Sequence, residues 1–160
     1  MTQQVFIFIF ALILMALVLV FGIKNLLLVT TTAEKVETLS FVEDLKKEVQ
    51  TYYNFDVGST KYLTLSVPAD VNQICFFNNQ LPLQGISDPV FLALLAGDKK
   101  NNVFILPLEH FQNPGPGFSI PHLTVRGPRN PLCIMTPNSL KLLIETVVIP
   151  NGVAVEVKER

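Results

Sequence analysis

The stretch VFIFIFALILMALVLVFGI, residues 5–23, decides the fold of this chain of 160 residues, and Gly22 is its one residue outside the hydrophobic class. As a helix rising 1.5 Å per residue it spans about 28 Å, close to the hydrocarbon thickness of a bilayer. A core helix of a soluble domain is apolar on one face, whereas this stretch is apolar all round. The stretch therefore predicts a helix that leaves water by entering lipid or by packing against copies of itself.

The rest of the chain has the composition of an ordinary soluble domain. Hydrophobic residues make up 49% of the sequence and charged residues 16%, but 23 of the first 29 residues are apolar and Lys24 is their one charge. All 11 prolines lie at or beyond Pro68. The 12 basic and 13 acidic residues give a net charge of −1, which argues against a nucleic-acid binder because the basic excess that binds phosphates is missing.

Two other interpretations of the N-terminal segment are weighed against a retained helix. A buried core helix is disfavoured because no polar face is present. A cleaved secretory peptide is disfavoured because the apolar run exceeds the usual 7–15 residues and no Lys or Arg precedes it, although Thr31-Thr32-Ala33 resembles a small-residue cleavage site. We therefore expect residues 1–29 to form a helix that stays on the protein.

The next segment, residues 30–55, is amphipathic. Past the three threonines at 30–32, apolar residues recur every three or four positions, which is typical of one helical face: Val36, Leu39, Val42, Leu45, Val49 and Tyr52. No Pro or Gly occurs between Ile23 and Phe55, so the sequence predicts either one continuous helix of about 50 residues or a second helix that restarts after an N-cap at Thr32. We expect the apolar face to pack against the remainder of the chain.

Residues 56–160 have the pattern of a β-domain. Asn151-Gly152 between the apolar runs 140–149 and 153–157 is the strongest hairpin signal, since both turn positions tolerate positive φ. A second hairpin is predicted from 91–95 and 103–106 around a charged tip, although 91–96 taken alone is also compatible with a helix. The other predicted strands are 62–67, 74–77, 119–125 and 132–135. Together they predict an α+β fold: a long N-terminal helix, apolar and then amphipathic, packed on a mostly antiparallel sheet of six to eight strands.

The residues with reactive side chains do not form a catalytic motif. Cys75 and Cys133 lie in predicted strands. They either form a disulfide, which would stabilise the folded state by about 4 kcal/mol, or remain two buried thiols. Glu109, His110 and His122 have no distinctive metal-ligand spacing, so exposed loop histidines are the simpler interpretation. No phosphate-binding loop, GxSxG or HExxH occurs. We expect no enzymatic activity, no metal and no cofactor.

The order of these segments resembles a type IV pilin, particularly the archaeal ones. The resemblance covers the architecture of the whole chain, and its specific part lies within residues 3–55. Gln3-Gln4 is similar to the Gln that often follows the cleavage point in archaeal precursors. Two features of the family are missing: no Lys/Arg-Gly leader precedes Gln3, and residues 5–23 lack the Glu that many bacterial pilins carry near their mature N-terminus.

The resemblance implies a structural subunit of an extracellular, cell-surface filament that acts in adhesion, cell contact or motility. Its partners would be identical subunits in a helical filament, and the membrane before assembly, with no nucleic acid. The implied assembly helix presents Val5, Phe6, Phe8, Phe10, Leu12, Leu14, Leu17, Leu19, Phe21 and Leu26. The alternatives are a monotopic membrane-anchored ectodomain of the cell envelope with a binding role, and a secreted binding domain released by cleavage near Ala33.

Overall fold

The chain has the predicted α+β fold. The computed structural model describes residues 2–108, 115–126, 129–137 and 139–159, without the side chains of 2–6, 25–35 and 159. Its contacts divide the chain into two units, residues 1–37 and 38–160. The elements are two helices, α1 (Thr2–Tyr53) and α2 (Pro89–Gly97), and eight strands among the described residues: β1 (Thr60–Ser66), β2 (Gln73–Phe76), β3 (Val103–Leu106), β4 (Gly117–Phe118), β5 (Leu123–Thr124), β6 (Leu132–Met135), β7 (Ser139–Ile149) and β8 (Gly152–Glu159).

Helix α1 runs for 52 residues without interruption. The restart after Thr32, one of the two predicted alternatives, therefore does not occur. At its end the last carbonyl groups have no partners within the helix and must be satisfied from outside. The Thr146 hydroxyl of β7 donates to the carbonyl of Tyr52 over 2.9 Å, and the Asn54 side-chain amide donates to the carbonyl of Gln50 over 2.9 Å. A buried side chain of the β-domain thus helps to end the helix.

The strands form two four-stranded sheets, where the sequence analysis expected one. Sheet A has the order β1-β7-β8-β5 and sheet B the order β4-β3-β2-β6. Every pairing among them is antiparallel except β5 with β8, which is parallel. The predicted strand 119–125 was wrong in extent, because Pro121 and His122 form a turn in which His122 has a φ of 64°. The chain therefore leaves sheet B after β4 and enters sheet A at β5.

The predicted C-terminal hairpin is confirmed. Strands β7 and β8 pair from Leu142↔Glu159 to Ile149↔Gly152. The two turn residues are Pro150 and Asn151, one position earlier than the Asn-Gly signal suggested, and Gly152 has a φ of 135°. That φ falls in the region where glycine lacks the steric cost of other residues, so Gly152 still explains why the chain reverses here.

One core joins α1 to both sheets within residues 38–160. It includes Phe41, Leu45 and Val49 of α1, Ile74 and Phe76 of β2, and further residues of α1, of the other strands and of the segments that connect them, namely Val42, Leu63, Val67, Val71, Val103, Ile105, Ile120, Leu123, Val125, Leu132, Ile134, Leu140, Leu142, Ile144, Val155 and Val157. Each such side chain contributes about 1.5–3 kcal/mol when it is fully removed from water. The second half of α1 is therefore an integral part of the β-domain.

The predicted contact face of α1 needs a correction at its start. Val42, Leu45 and Val49 are buried and Tyr52 is half-buried. Val36 and Leu39, however, are 59% and 45% exposed, and Thr38 and Phe41 are buried in their place. The buried stripe 38, 41, 42, 45, 49 follows the spacing of three and four residues. The predicted face followed a three-residue spacing from Val36, which left out Phe41, and Thr38 was not expected to be buried because it is polar.

The predicted strand 91–95 was also wrong, because this segment belongs to α2. The Asp88 carboxylate caps the helix, accepting hydrogen bonds from the backbone N–H of Val90 (2.8 Å) and of Phe91 (3.4 Å), and Pro89 occupies the first turn. Phe91 and Leu95, four residues apart, are buried against Phe104 of sheet B. The signal that identifies this helix is Asp-Pro, an N-cap followed by proline at the first helical position.

The hydrogen bond that ends α1 leads to a prediction about stability. Replacing Thr146 with Val keeps the shape of this fully buried side chain but removes one of the two hydrogen bonds to the Tyr52 carbonyl, which also accepts from the backbone N–H of Phe55 over 3.0 Å. We expect T146V to lower the free energy of unfolding by about 1–2 kcal/mol, measured by urea titration with near-ultraviolet circular dichroism. T64V, at an exposed position of the same sheet, is the matched control. Equal stability of the two variants would contradict this assignment.

Candidate functional site

The main candidate site is the exposed apolar surface of α1, which we call the apolar surface and define as Ile7–Lys24. Within the described residues, this segment is the one helical stretch long and apolar enough to cross a membrane, and none of it is buried. Fourteen large apolar side chains between Ile7 and Ile23 are 47–73% exposed. The predicted assembly residues with described side chains are all among them: Phe8, Phe10, Leu12, Leu14, Leu17, Leu19 and Phe21. The side chains of Val5, Phe6 and Leu26 lie outside the described residues.

The apolar surface extends around the whole helix. Consecutive residues of an α-helix point about 100° apart, so Leu12, Ile13, Leu14 and Met15 together cover every direction. These four side chains are 65%, 53%, 47% and 69% exposed. A single docking groove would cover one side of such a helix and leave the others in water. The arrangement fits a surrounding medium, either lipid or several apolar partners.

The second predicted feature, the cysteine pair, is a disulfide. Cys75 of β2 and Cys133 of β6 are directly opposed in the antiparallel ladder, with their sulfurs bonded at 2.05 Å. Cys75 is fully buried beside Phe104, on the face of sheet B that α2 covers. Neither sulfur is a free thiol, so neither is a nucleophile in this state. Disulfides of this kind are typical of proteins that fold in an oxidising compartment.

Charged residues in the β-domain form structural ion pairs. Lys61 of β1 donates to Glu48 of α1 over 2.8 Å, and this hydrogen bond raises the pKa of Lys61 against the smaller opposing effect of burial. Lys158 pairs with Glu145, which raises the pKa of Lys158 in the same way, and Lys158 also lies 3.6 Å from Glu156. The Lys61–Glu48 and Lys158–Glu145 pairs connect neighbouring elements and are partly exposed, whereas Glu156 is buried and lies on the same strand as Lys158, which together fits a structural role.

Of the three candidates Glu109, His110 and His122, only His122 lies in the described part of the chain. His122 stacks on Tyr53, with ring centroids 3.7 Å apart and planes inclined by 17°. Glu109 and His110 lie outside the described residues. Across the described ranges, no group of three or more His, Cys, Asp or Glu side chains is arranged to hold a metal ion.

The chain was compared with known proteins. No family model, no curated protein and no solved structure matches it. The resemblance to a pilin therefore stays a prediction that rests on the order of the segments.

The disulfide leads to a prediction for the β-domain. The bond closes a loop with a sequence separation of 58 residues, which stabilises the folded state by about 4 kcal/mol in the chain-entropy account. We expect reduction to lower the urea midpoint of the protein markedly. The double variant C75A/C133A should have the lower midpoint already and show no response to the reductant. A wild-type midpoint that the reductant leaves unchanged would contradict a stabilising role.

A second prediction concerns the separation of the two units. A fragment of residues 33–160 keeps every core residue of α1 from Phe41 to Val49 and lacks the apolar surface. We expect this fragment to stay folded and monodisperse in buffer without detergent, whereas the full chain requires detergent or associates. Size-exclusion chromatography with light scattering measures both. Aggregation of the fragment would show that the β-domain depends on residues 1–32.

Proposed function

We propose that this protein is a structural subunit of an extracellular type IV pilus-like filament, assembled through the first half of α1. The observation that supports this proposal is the all-round exposure of Ile7–Lys24. The unit 38–160 has an extensive core of its own, to which the described part of the apolar surface contributes no side chain. The apolar surface thus does not contribute to the core of the folded chain, and association of several such helices would bury it.

The apolar surface provides a substantial free energy for assembly. Each large apolar side chain gains about 1.5–3 kcal/mol when it is completely buried, and fourteen of them are about half exposed or more in the single chain. Because these side chains are about half exposed at the start, burying the whole set contributes on the order of 10–20 kcal/mol, which is comparable with or larger than the roughly 4–15 kcal/mol that association costs in lost translational and rotational freedom. Phe8, Phe10 and Phe21 add large contact areas to such a bundle.

The two halves of α1 have different roles in this proposal. Residues near Leu14 contact neighbouring subunits, whereas Phe41, Leu45 and Val49 hold the β-domain on the same helix. The β-domain then meets the environment and serves adhesion, cell contact or motility. The Cys75–Cys133 bond supports an extracellular position, since disulfides persist in oxidising surroundings. The proposal involves no catalytic step and no cofactor.

A membrane-anchored ectodomain is the second candidate, and the length of the apolar surface favours it. Residues Ile7–Lys24 form 18 residues of helix, about 27 Å at 1.5 Å per residue, which nearly spans the hydrocarbon core. Lys24 lies at the end of this span, where its long side chain reaches the polar interface. In this candidate α1 stays in lipid and the β-domain acts alone.

The proposal predicts that one buried charge prevents assembly. Leu14 lies in the middle of the apolar surface, so L14D places a carboxylate within the helix bundle, which costs several kcal/mol per subunit. We expect no filaments from L14D and normal filaments from V90D. Val90 is 66% exposed on the β-domain, in the first turn of α2 where an acidic residue is tolerated. The measurement is negative-stain imaging of sheared cell surfaces.

The same images separate the two candidates. Filaments that label with an antibody to the β-domain support the filament subunit. Absence of such filaments, with the wild-type chain retained in the membrane fraction, favours the anchored ectodomain instead. Normal filaments from L14D would overturn the assembly role of the apolar surface.

A further inference from the structure

A polar groove of about 430 Å³ opens on the β-domain, entirely within residues 38–160. Five parts of the chain meet there: the end of α1, the segment after β2, the turn between α2 and β3, the residues from His122 into β5, and the β7–β8 turn. Its volume falls in the usual range for small-molecule sites. We call this site the polar groove and define it by six lining residues: Tyr53, Gln80, Lys99, Lys100, His122 and Asn151.

One side of the polar groove carries positive charge. The Asp98 carboxylate holds the turn by accepting hydrogen bonds from the backbone N–H of Lys100 (3.0 Å) and of Asn101 (3.1 Å). Burial acts to raise the pKa of Asp98, but these hydrogen bonds outweigh it and lower that pKa. Among the described residues, Lys99 and Lys100 form no salt bridge, and no Asp or Glu lines the groove. Lys100 also helps to lower the pKa of Asp98 through charge attraction, and the two lysines that line the groove leave it with a net positive charge for an anion.

A stacked pair of rings forms another part of the lining. Tyr53 and His122 lie face to face with centroids 3.7 Å apart. His122 has a φ of 64°, a conformation that few residues other than glycine adopt and that costs free energy. Its carbonyl is fixed by a hydrogen bond from the N–H of Val155, 2.8 Å away. The fold thus keeps an imidazole ring at this position although the positive φ of His122 costs free energy.

The amide side chains around the polar groove divide into two groups. Asn78 and Asn102 are frame residues, because their amides donate to the carbonyls of Val125 and Ile120, 3.1 Å and 2.8 Å away. The side chains of Gln80 and Asn151 form no hydrogen bond with any other described residue, although both line the groove. A rigid frame therefore surrounds amides that have donors and acceptors left for a ligand.

We propose that the polar groove binds an acidic saccharide. The sugar's carboxylate or sulfate pairs with Lys99 and Lys100, its hydroxyl groups exchange hydrogen bonds with Gln80 and Asn151, and the apolar face of its ring packs on the Tyr53–His122 pair. A neutral sugar leaves the two ammonium groups without a partner. A small inorganic anion leaves the rings and amides unused. This site goes beyond the filament proposal and does not depend on it.

The test measures binding to the full chain in detergent micelles by isothermal titration calorimetry at about 0.15 M salt, where weak long-range attraction is screened. The probes are tetragalacturonic acid, a sulfated tetrasaccharide, maltotetraose and a short single-stranded DNA. The variants are K99Q/K100Q and H122G, in which glycine accepts the positive φ and the imidazole is lost. K141Q, at an exposed position of β7 outside the groove, is the matched control.

We expect an acidic tetrasaccharide to bind and maltotetraose to bind at least about tenfold more weakly, since charge-assisted contacts are lost. Both K99Q/K100Q and H122G should lower the affinity for the acidic probe about tenfold or more, whereas K141Q should leave that affinity unchanged. The stronger of the carboxylated and sulfated probes identifies the anion. Four outcomes would each overturn the proposal. These are equal binding of maltotetraose and the acidic sugars, tighter binding of DNA than of both acidic sugars, no binding of either acidic sugar, and weaker acidic-sugar binding in K99Q/K100Q but not in H122G.

Discussion

The burial of Phe41, Leu45 and Val49 is the interaction on which the rest of the structure depends. These side chains of α1 lie in the same core as the inner faces of both sheets. Without them the core between the sheets would contain a cavity, and large-to-small changes in a core cost about 2–5 kcal/mol each. Because α1 continues without interruption to Tyr53, the helix that carries the apolar surface is also a structural member of the β-domain.

Packing against α1 also determines the residue pattern of the strands in sheet B. Ile74 and Phe76 face the core shared with α1, whereas Cys75 between them faces α2 together with Phe104. Since alternate residues of a strand point to opposite faces, a strand buried on both sides needs a continuous apolar run such as ICFF at 74–77. Helix α2 is therefore required to cover the second face, and the disulfide lies on that covered face.

The parts of the fold that depend on local sequence were predictable. The continuous apolar run indicated α1, and Asn151-Gly152 indicated the β7–β8 hairpin. Helix α2 was predicted only as the alternative to a strand, although Asp88-Pro89 marks its start, because Phe91–Leu95 fits either periodicity. The division into two sheets was missed because no local pattern determines which strand pairs with which. The polar groove was not predictable either, since Tyr53, Lys99, His122 and Asn151 are far apart in sequence and the positive φ of His122 follows from its tertiary setting.

The apolar surface constrains any assembly of this chain through its one charge. Lys24 lies at the end of the apolar run, and an ammonium group transferred to an apolar interior without a partner is costly. In a bilayer the polar interface satisfies that charge. In a helix bundle the compensating negative charge has to come from an acidic group of another chain. Exposed acidic residues such as Glu37 and Glu43 occur on the same helix and could supply it from a neighbouring subunit. A filament core therefore requires an axial offset between neighbouring helices that brings carboxylates to the level of Lys24, whereas a membrane anchor requires none.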